Sequence, residues 1–423
     1  MGKNTNVPKL RFPEFEGEWK KERLDEFAEF KAGYAFKSEL MLTIKSSYQI
    51  LKMSNVYQNE LRLDRNPSYW EITDDKQKEF LLKKGDSILT LTGTVGKRDY
   101  GYSVMINEDN KFLLNQRLVL LREIERKSNS GFINNLLSTE KFLFYFFLEA
   151  KGGTGNQTNV STEDVKNICL NFPILPEQTK IASFLTAVDD KLTQLKKKKS
   201  LLEEYKKGVM QKIFSQELRF KDDNGEDFPE WEEKTLGVVM IEGKLGGNYE
   251  NSESNNGIPV IKMGNIGRGD INLNKIQYLP ENETYNTDDV LKEGDLLFNT
   301  RNTLELVGKV AIWRNELPFA IYNSNLMRMK FNNKFESTNR FLNAMFNTKK
   351  SIKQLRSYAT GTTSVAAIYG RDLVNMNISF PSLPEQTKIA NFLSVIDEKI
   401  NHCSKQIERM EDWKKGLLQQ MFC

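Results

Sequence analysis

The sequence predicts an α+β chain built from one unit used twice. Two globular heads are joined by two long antiparallel coiled-coil helices, related by a pseudo-twofold internal repeat. Three observations lead there. FPILPEQTKIASFL at 172–185 returns as FPSLPEQTKIANFL at 380–393, 208 positions later. The match continues without a gap to Phe214 and Phe422, with 21 of 43 positions identical. Both copies then run into a heptad pattern, whereas the regions before them mix strand-like alternation with short helical stretches.

In chain order, the first head (1–172) opens on LRF, an acidic stretch and a tryptophan at 10–19. Alternating apolar residues at 87–92 and 118–121 predict strands, and 133–149 predicts a helix. A central spacer helix follows at 173–214. The second head (215–380) repeats the opening as LRF and Trp at 218–231, with a strand at 295–299 and a helix at 339–355. KKGDSIL at 83–89 answers KEGDLLF at 292–298, and Val95-Gly96-Lys97 answers Val307-Gly308-Lys309. A second spacer helix, 381–423, ends the chain.

The spacers are helical for local reasons. Pro176 and Pro384 stand where a first turn tolerates proline, and the glutamate after each complements the helix N-terminal dipole. Ile389, Leu393, Ile396, Ile400, Cys403, Ile407, Met410, Leu417 and Met421 follow 4,3,4,3 spacing, with a polar slot at Lys414. The first copy gives Ile181, Leu185, Val188, Leu192, Leu195, Leu202, Val209 and Ile213, interrupted by Lys199 and Lys206. Such a run makes a rod of about 50 Å.

Composition narrows the chemistry. The chain has 423 residues, a net charge of +4, one histidine and three cysteines. At about 150 residues per domain the length suggests three domains; the repeat replaces that with two units of 208 residues plus a remainder. His402 is the one base available to a Ser-His-Asp or Cys-His triad, and a single histidine nearly excludes a histidine-based metal site. Cys169, Cys403 and Cys423 are scattered and odd in number, as expected of a reducing, cytoplasmic compartment. The longest apolar run, 142–148, is far shorter than a membrane span, and the first residues lack the apolar core of a signal peptide.

The paired PxLPEQxxIAxFL segments, the heptad helices behind them and the LRF…W openings together resemble the specificity (S) subunit of type I restriction–modification enzymes (the HsdS family). The resemblance covers the whole chain. It implies a non-catalytic subunit with two target-recognition domains, each reading one half of an asymmetric bipartite site in double-stranded DNA. It implies that the helices hold the domains at a fixed separation and dock two methyltransferase (M) subunits, with restriction (R) subunits joining them. S-adenosylmethionine would then belong to the M subunits, and ATP and Mg to the R subunits, with no cofactor on this chain. No motif carries the family's DNA contacts onto particular positions of the heads.

Charge bears on the DNA reading. Residues 1–172 hold 26 Lys/Arg against 24 Asp/Glu, so neither head is a strongly basic clamp. Within the second head, 215–300 has 8 against 18 and 301–380 has 12 against 4, the polarity expected if one face meets phosphate. Mixed surface charge without function is the alternative.

Base-edge readout calls for Arg, Lys, Asn or Gln on exposed loops. The Gly-rich stretch 93–102 offers Lys97, Arg98 and Tyr100, and 299–309 offers Arg301, Asn302 and Lys309. Asn115, Gln116 and Arg117 form a second cluster. The stretches before each helix add Gly155, Gln157, Thr362, Thr363 and Arg371. Any one of these alone reads better as an ordinary solvated residue; the paired loops as sets point to DNA. Lys196–Lys199, four lysines in a row, have the same two readings.

Several look-alikes fail. Asn66-Pro67-Ser68-Tyr69 departs from the Asn-Pro-Pro-Tyr signature of amino-methyltransferases at Ser68. Residues 93–98 are too short for a P-loop, and Gly264, Gly267 and Gly269 are misspaced for a dinucleotide fingerprint. Two other classes stay open from residues alone: an interaction scaffold without DNA readout, and a self-sufficient methyltransferase or nuclease, which would need a cofactor motif absent here.

Overall fold

The structure is a computed structural model that describes residues 6–152, 156–332 and 339–423. The chain divides into two compact units. The first comprises residues 1–196 and 405–423, the second residues 197–404. Each unit therefore combines one head, the N-terminal half of the helix that follows it, and the C-terminal part of the other long helix.

The long helices are Leu175–Phe214 and Leu383–Met421. Their heptad residues are buried as the spacing predicts: Ile181, Leu185, Val188, Leu192 and Leu195 in the first unit, Ile389, Leu393 and Ile396 in the second. In the first unit the helical segments run antiparallel, since Asp189 pairs with Lys414 and Lys196 with Glu411. The lysines that interrupt the seam are thus ion-paired rather than apolar: Lys414 with Asp189 in the first unit, Lys206 with Asp397 in the second.

The first head is organised around an antiparallel sheet in the order Ala28–Ala32, Leu118–Glu123, Ser87–Thr90, Ser103–Met105. The second head has the same sheet in the order Met240–Leu245, Leu326–Phe331, Leu296–Asn299, Val310–Ile312. Register agrees as well, Leu118 standing opposite Thr90 as Leu326 stands opposite Asn299. Three further small sheets recur with the same strand orders and directions. Tyr48–Leu51 pairs parallel with Phe112–Leu114 as Ile258–Ile261 pairs parallel with Ile321–Tyr322. The duplication therefore extends through the heads, where the sequence shows only islands.

Alternation explains the central strands. Leu118–Glu123 sends Val119 and Leu121 to the core that includes the long helix, and Leu118 and Leu120 to a second cluster with Leu51, Ile88 and Phe112. Both sheet faces are covered, which is why this strand reads as an unbroken apolar run.

The single helical stretches expected at 133–149 and 339–355 are each two helices. They are Ser130–Leu137 with Glu140–Leu148, and Asn339–Phe346 with Lys349–Tyr358. The break is local. The Thr139 hydroxyl accepts from the backbone N–H of Phe142, and that of Thr348 from Ser351, so each threonine caps a new helix.

The repeated sequence signatures now acquire a role. In the first unit Arg11 lies 2.8 Å from the buried carboxylate of Glu177, which also accepts from Trp19 Nε1 at 3.2 Å. In the second unit Arg219 lies 3.0 Å from Glu385, and Trp231 Nε1 donates to it at 3.2 Å. LRF…W and PEQ are the two halves of one clasp, formed once per unit. Gln178 and Gln386 complete it by donating to the carbonyls of Pro173 and Pro381, both at 2.9 Å.

Candidate nucleic-acid interface

In the first unit a three-stranded sheet of Thr92–Thr94, Gln157–Asn159 and Lys151–Gly152 joins the two stretches that the sequence singled out. Val95 N donates to the Asn156 carbonyl at 3.2 Å, and Lys97 N closes a turn on Thr94 at 3.0 Å. Asp99 fixes that turn by accepting from the Thr94 N–H (2.9 Å) and hydroxyl (2.7 Å). These bonds hold its carboxyl below the ordinary carboxylate pKa. A cavity of about 360 Å³ lies on this sheet, with Lys97, Arg98, Gly152 and Thr158 in its lining. Gly155 lies outside the described residues.

The Asn115–Gln116–Arg117 turn borders the same sheet, because Leu91 N donates to the Arg117 carbonyl at 3.1 Å. Arg117 has φ of +70° and is exposed, as is Gln116. Asn115 is 8% exposed and serves the turn from within. Gly33 is required beside it: a Cβ there would lie 1.9 Å from the Asn115 carbonyl oxygen.

The second unit brings its own set together in the corresponding sheet. Arg301–Asn302 pairs with Ala366–Ala367, which pairs with Thr360–Gly361. Leu304 N donates to the Thr363 carbonyl at 3.1 Å, so Arg301, Asn302, Thr362 and Thr363 share one rim. Arg301, Thr362, Thr363 and Arg371 are exposed, and Lys309 is half-buried. Arg371 stacks over Tyr369 and lies 3.9 Å from Asp372. Among the described residues Lys97, Arg117, Arg301 and Lys309 have no ion-pair partner. Cations without an ion-pair partner on two matching rims, three of the four exposed, are suited to a polyanion.

Two expectations change. Tyr100 is 3% exposed, with its ring against Phe146 and Phe147, so it supports the loop from the core and only borders the cavity beside Lys97 and Arg98. The equation of Gly96 with Gly308 also fails. Gly308 N donates to Asn299 O as Gly101 N donates to Thr90 O, and both glycines have positive φ, +74° and +77°. Gly308 therefore corresponds to Gly101, and Lys309 to Tyr102 rather than Lys97. The strand pairing decides the alignment, and the shared VGK triplet does not follow it.

The sequence reading missed Asn323, Ser324 and Asn325. They form the second unit's counterpart of Asn115–Gln116–Arg117, with Ser324 N donating to Gly247 O as Gln116 N donates to Tyr34 O. The signal was present: adding the 208-residue repeat offset to 115–117 gives 323–325. Within the lysine run, Lys196 is engaged by Glu411 and Glu60, and Lys199 by Glu203 at 3.8 Å, which leaves Lys197 and Lys198 exposed.

Among the described residues no group of acidic, histidine or cysteine side chains is arranged to hold a metal ion. No described helix is long and apolar enough to cross a membrane.

Two like units, each with a basic loop rim on a small sheet and a clasped long helix, define a duplicated recognition protein. The chain belongs to the type I restriction modification DNA specificity domain family, whose model matches residues 16–204 and again 229–411. It is 26% identical over 357 residues to the type I restriction enzyme MjaVIII specificity subunit of Methanocaldococcus jannaschii, covering 81% of this chain and 79% of that one. It is 28% identical over 220 residues to the MjaX specificity subunit of the same organism, where the match spans half the length of that relative. In fold it is similar to the type I restriction–modification S subunit from M. genitalium, with a TM-score of 0.60 at 17% identity and 99% coverage of both chains.

Proposed function

We propose that the chain reads an asymmetric bipartite site in double-stranded DNA as the specificity subunit of a type I restriction–modification complex. Residues 1–172 would serve as one target-recognition domain and 215–380 as the other. The observation that carries this reading is the pair of topologically matched rims bearing different residues. One offers Lys97, Arg98, Gln116, Arg117 and Gln157. The other offers Arg301, Asn302, Lys309, Thr362, Thr363 and Arg371. Like scaffolds with unlike tips suit two half-sites of unlike sequence, since base edges are told apart by side-chain donors and acceptors while phosphate contacts set position.

In this reading the long helices at 173–214 and 381–423 are spacers that also dock two methyltransferase subunits, and restriction subunits join that assembly. The chemistry resides on those partners: S-adenosylmethionine on the methyltransferases, ATP and Mg on the restriction subunits. The chain works in the cytoplasm, where the host DNA is.

The test is methylation mapping across the genome of cells that express the chain with its methyltransferase. One bipartite motif is expected. Replacing residues 1–172 by the corresponding head of a relative should change one half of that motif and leave the other. A change in both halves overturns the two-reader assignment, and methylation without a sequence motif overturns the function.

A further inference from the structure

The sequence around Gly264, Gly267 and Gly269 fails as a nucleotide-binding fingerprint, yet the structure builds it with care. Gly267 N donates to the Asp270 carbonyl at 2.9 Å, and Gly269 N to the Val310 carbonyl at 2.8 Å. The Gly269 carbonyl accepts from Arg314 Nη1 at 3.1 Å and from Asn343 Nδ2 at 3.0 Å. A turn closed by one internal bond and tied to the rest of the unit by three more presents one long side chain, Arg268.

Arg268 meets a second arginine. Its Nη2 reaches the carbonyl oxygen of Glu305 at 3.4 Å, and Nη2 of Arg356, from the last turn of Lys349–Tyr358, reaches the same oxygen at 3.2 Å. Two guanidiniums thus converge on one acceptor, and among the described residues neither has an ion-pair partner. Each keeps further N–H donors than that single oxygen can take. Burial, and then the charge of Arg356, push the Arg268 guanidinium below its ordinary pKa, and the Glu305 carboxylate opposes them only in part. Two guanidinium charges thus face one nearby carboxylate, which leaves a net positive charge that a further anion between them would offset.

Their position is informative. Glu305 sits on the loop between Arg301–Asn302 and Val310–Ile312, the loop whose Leu304 N–H binds the Thr363 carbonyl. The arginine pair therefore braces the rim already assigned to the second half-site. It also accounts for part of the cationic bias of residues 301–380, and explains why the acidic half of this head still contributes Arg268.

We propose that Arg268 and Arg356 together grip one oxyanion, a backbone phosphate of the DNA at the second half-site. The pair contacts no base edge. It fixes the register of the rim on the duplex so that Arg301 and Asn302 meet the bases they read. This role rests on the DNA-reading function above.

The experiment uses the full chain assembled with its methyltransferase subunits, on a duplex carrying the mapped motif, with affinity measured from 50 to 200 mM salt. Neutralising one phosphate contact reduces the salt slope by about 0.9, so the affinity lost across that range shrinks about 3-fold. R356Q should give this effect. Because both arginines serve one phosphate, R268Q combined with R356Q should give little more, whereas R268K with R356K should keep the slope. A scan with single methylphosphonate linkages should find one position in the second half-site that weakens the wild-type complex and leaves the double variant unaffected.

Salt slopes equal to wild type in both glutamine variants overturn the proposal while leaving the reader function standing. Thermal stabilisation of wild type, but not of the double variant, by inorganic phosphate at constant ionic strength, with unchanged DNA slopes, assigns the pair to a free anion and also overturns it. A wild-type complex that shows no preference for the motif removes the reader function itself.

Discussion

Lys206 Nζ lies 2.5 Å from Asp397 Oδ1, joining the two long helices inside the second unit. Its repeat counterpart, Lys414, lies 2.6 Å from Asp189 inside the first. Lysine and aspartate of the same repeat positions exchange partners, because each unit takes its lysine from one helix and its aspartate from the other. Both side chains of the Lys206 pair are about a quarter exposed, which places the bond between a surface pair and a buried one. Lysine at this heptad slot also disfavours other registers, since a shifted helix would leave it against apolar neighbours.

A charge reversal tests this pairing. In the equivalent first-unit pair, which has no third partner among the described residues, K414D and D189K should each lower stability by about 1 kcal/mol, and the double variant should recover most of it. Thermal unfolding of the four proteins gives the coupling. Strict additivity would mean that the pair contributes nothing.

The clasp should matter more. Glu177 and Glu385 are 1% and 0% exposed, each gripping an arginine and a tryptophan. E177A or E385A leaves a guanidinium without its buried partner and should cost about 3–5 kcal/mol. Unfolding transitions that shift by less than about 1 kcal/mol would show that the clasp is incidental.

Tyr100 separates support from contact. Y100A should destabilise the first unit by about 3–5 kcal/mol, as loss of a buried ring does, while Y100F should leave both stability and the DNA salt slope near wild type. By contrast K97A and R117A should each leave unfolding unchanged and lower the salt slope by about 0.9, while R301A should leave unfolding unchanged and relax the preference at a base of the second half-site. Filter binding or fluorescence anisotropy across a salt series reads both.

The Thr94–Asp99 turn carries a sign that can be checked. Its carboxyl titrates below the ordinary value because the folded chain bonds the ionised form. The stabilisation is then complete above the unfolded carboxylate pKa of about 3.9, and is lost as pH falls through the lower folded value. NMR titration should place Asp99 below 3.9, and T94V should move it back toward the ordinary value. An unmoved titration in T94V would show that the hydroxyl adds nothing.

Glycine contacts give a test of the alignment itself. Gly101 and Gly308 share positive φ, and a Cβ at each would meet an apolar side chain at 3.0 Å, Phe146 and Ile368 respectively. G101A and G308A should therefore destabilise alike, by about 1–3 kcal/mol, whereas G96A meets no neighbouring atom and should cost only the backbone strain of its own φ of +74°. Equal calorimetric shifts for G96A and G308A would restore the VGK equivalence.

The sequence alone determined the duplication, the two long helices and the seam that buries them. Those features are local and periodic: identical segments 208 residues apart, and apolar side chains at heptad spacing. It also pointed to loops that the fold gathers on one small sheet per unit, because glycine with clustered basic and amide residues marks exposed backbone. The tertiary structure decided three further things. It showed that the heads are duplicated as well, since matching strands such as Leu118–Glu123 and Leu326–Phe331 agree in pairing although few of their residues agree. It sent Tyr100 inward and matched Gly308 with Gly101, both consequences of strand register, which no single segment specifies. It also brought Arg268 and Arg356, 88 residues apart, to the carbonyl of Glu305. Such a juxtaposition exists only once the chain has folded, because it depends on where a turn and a helix end meet.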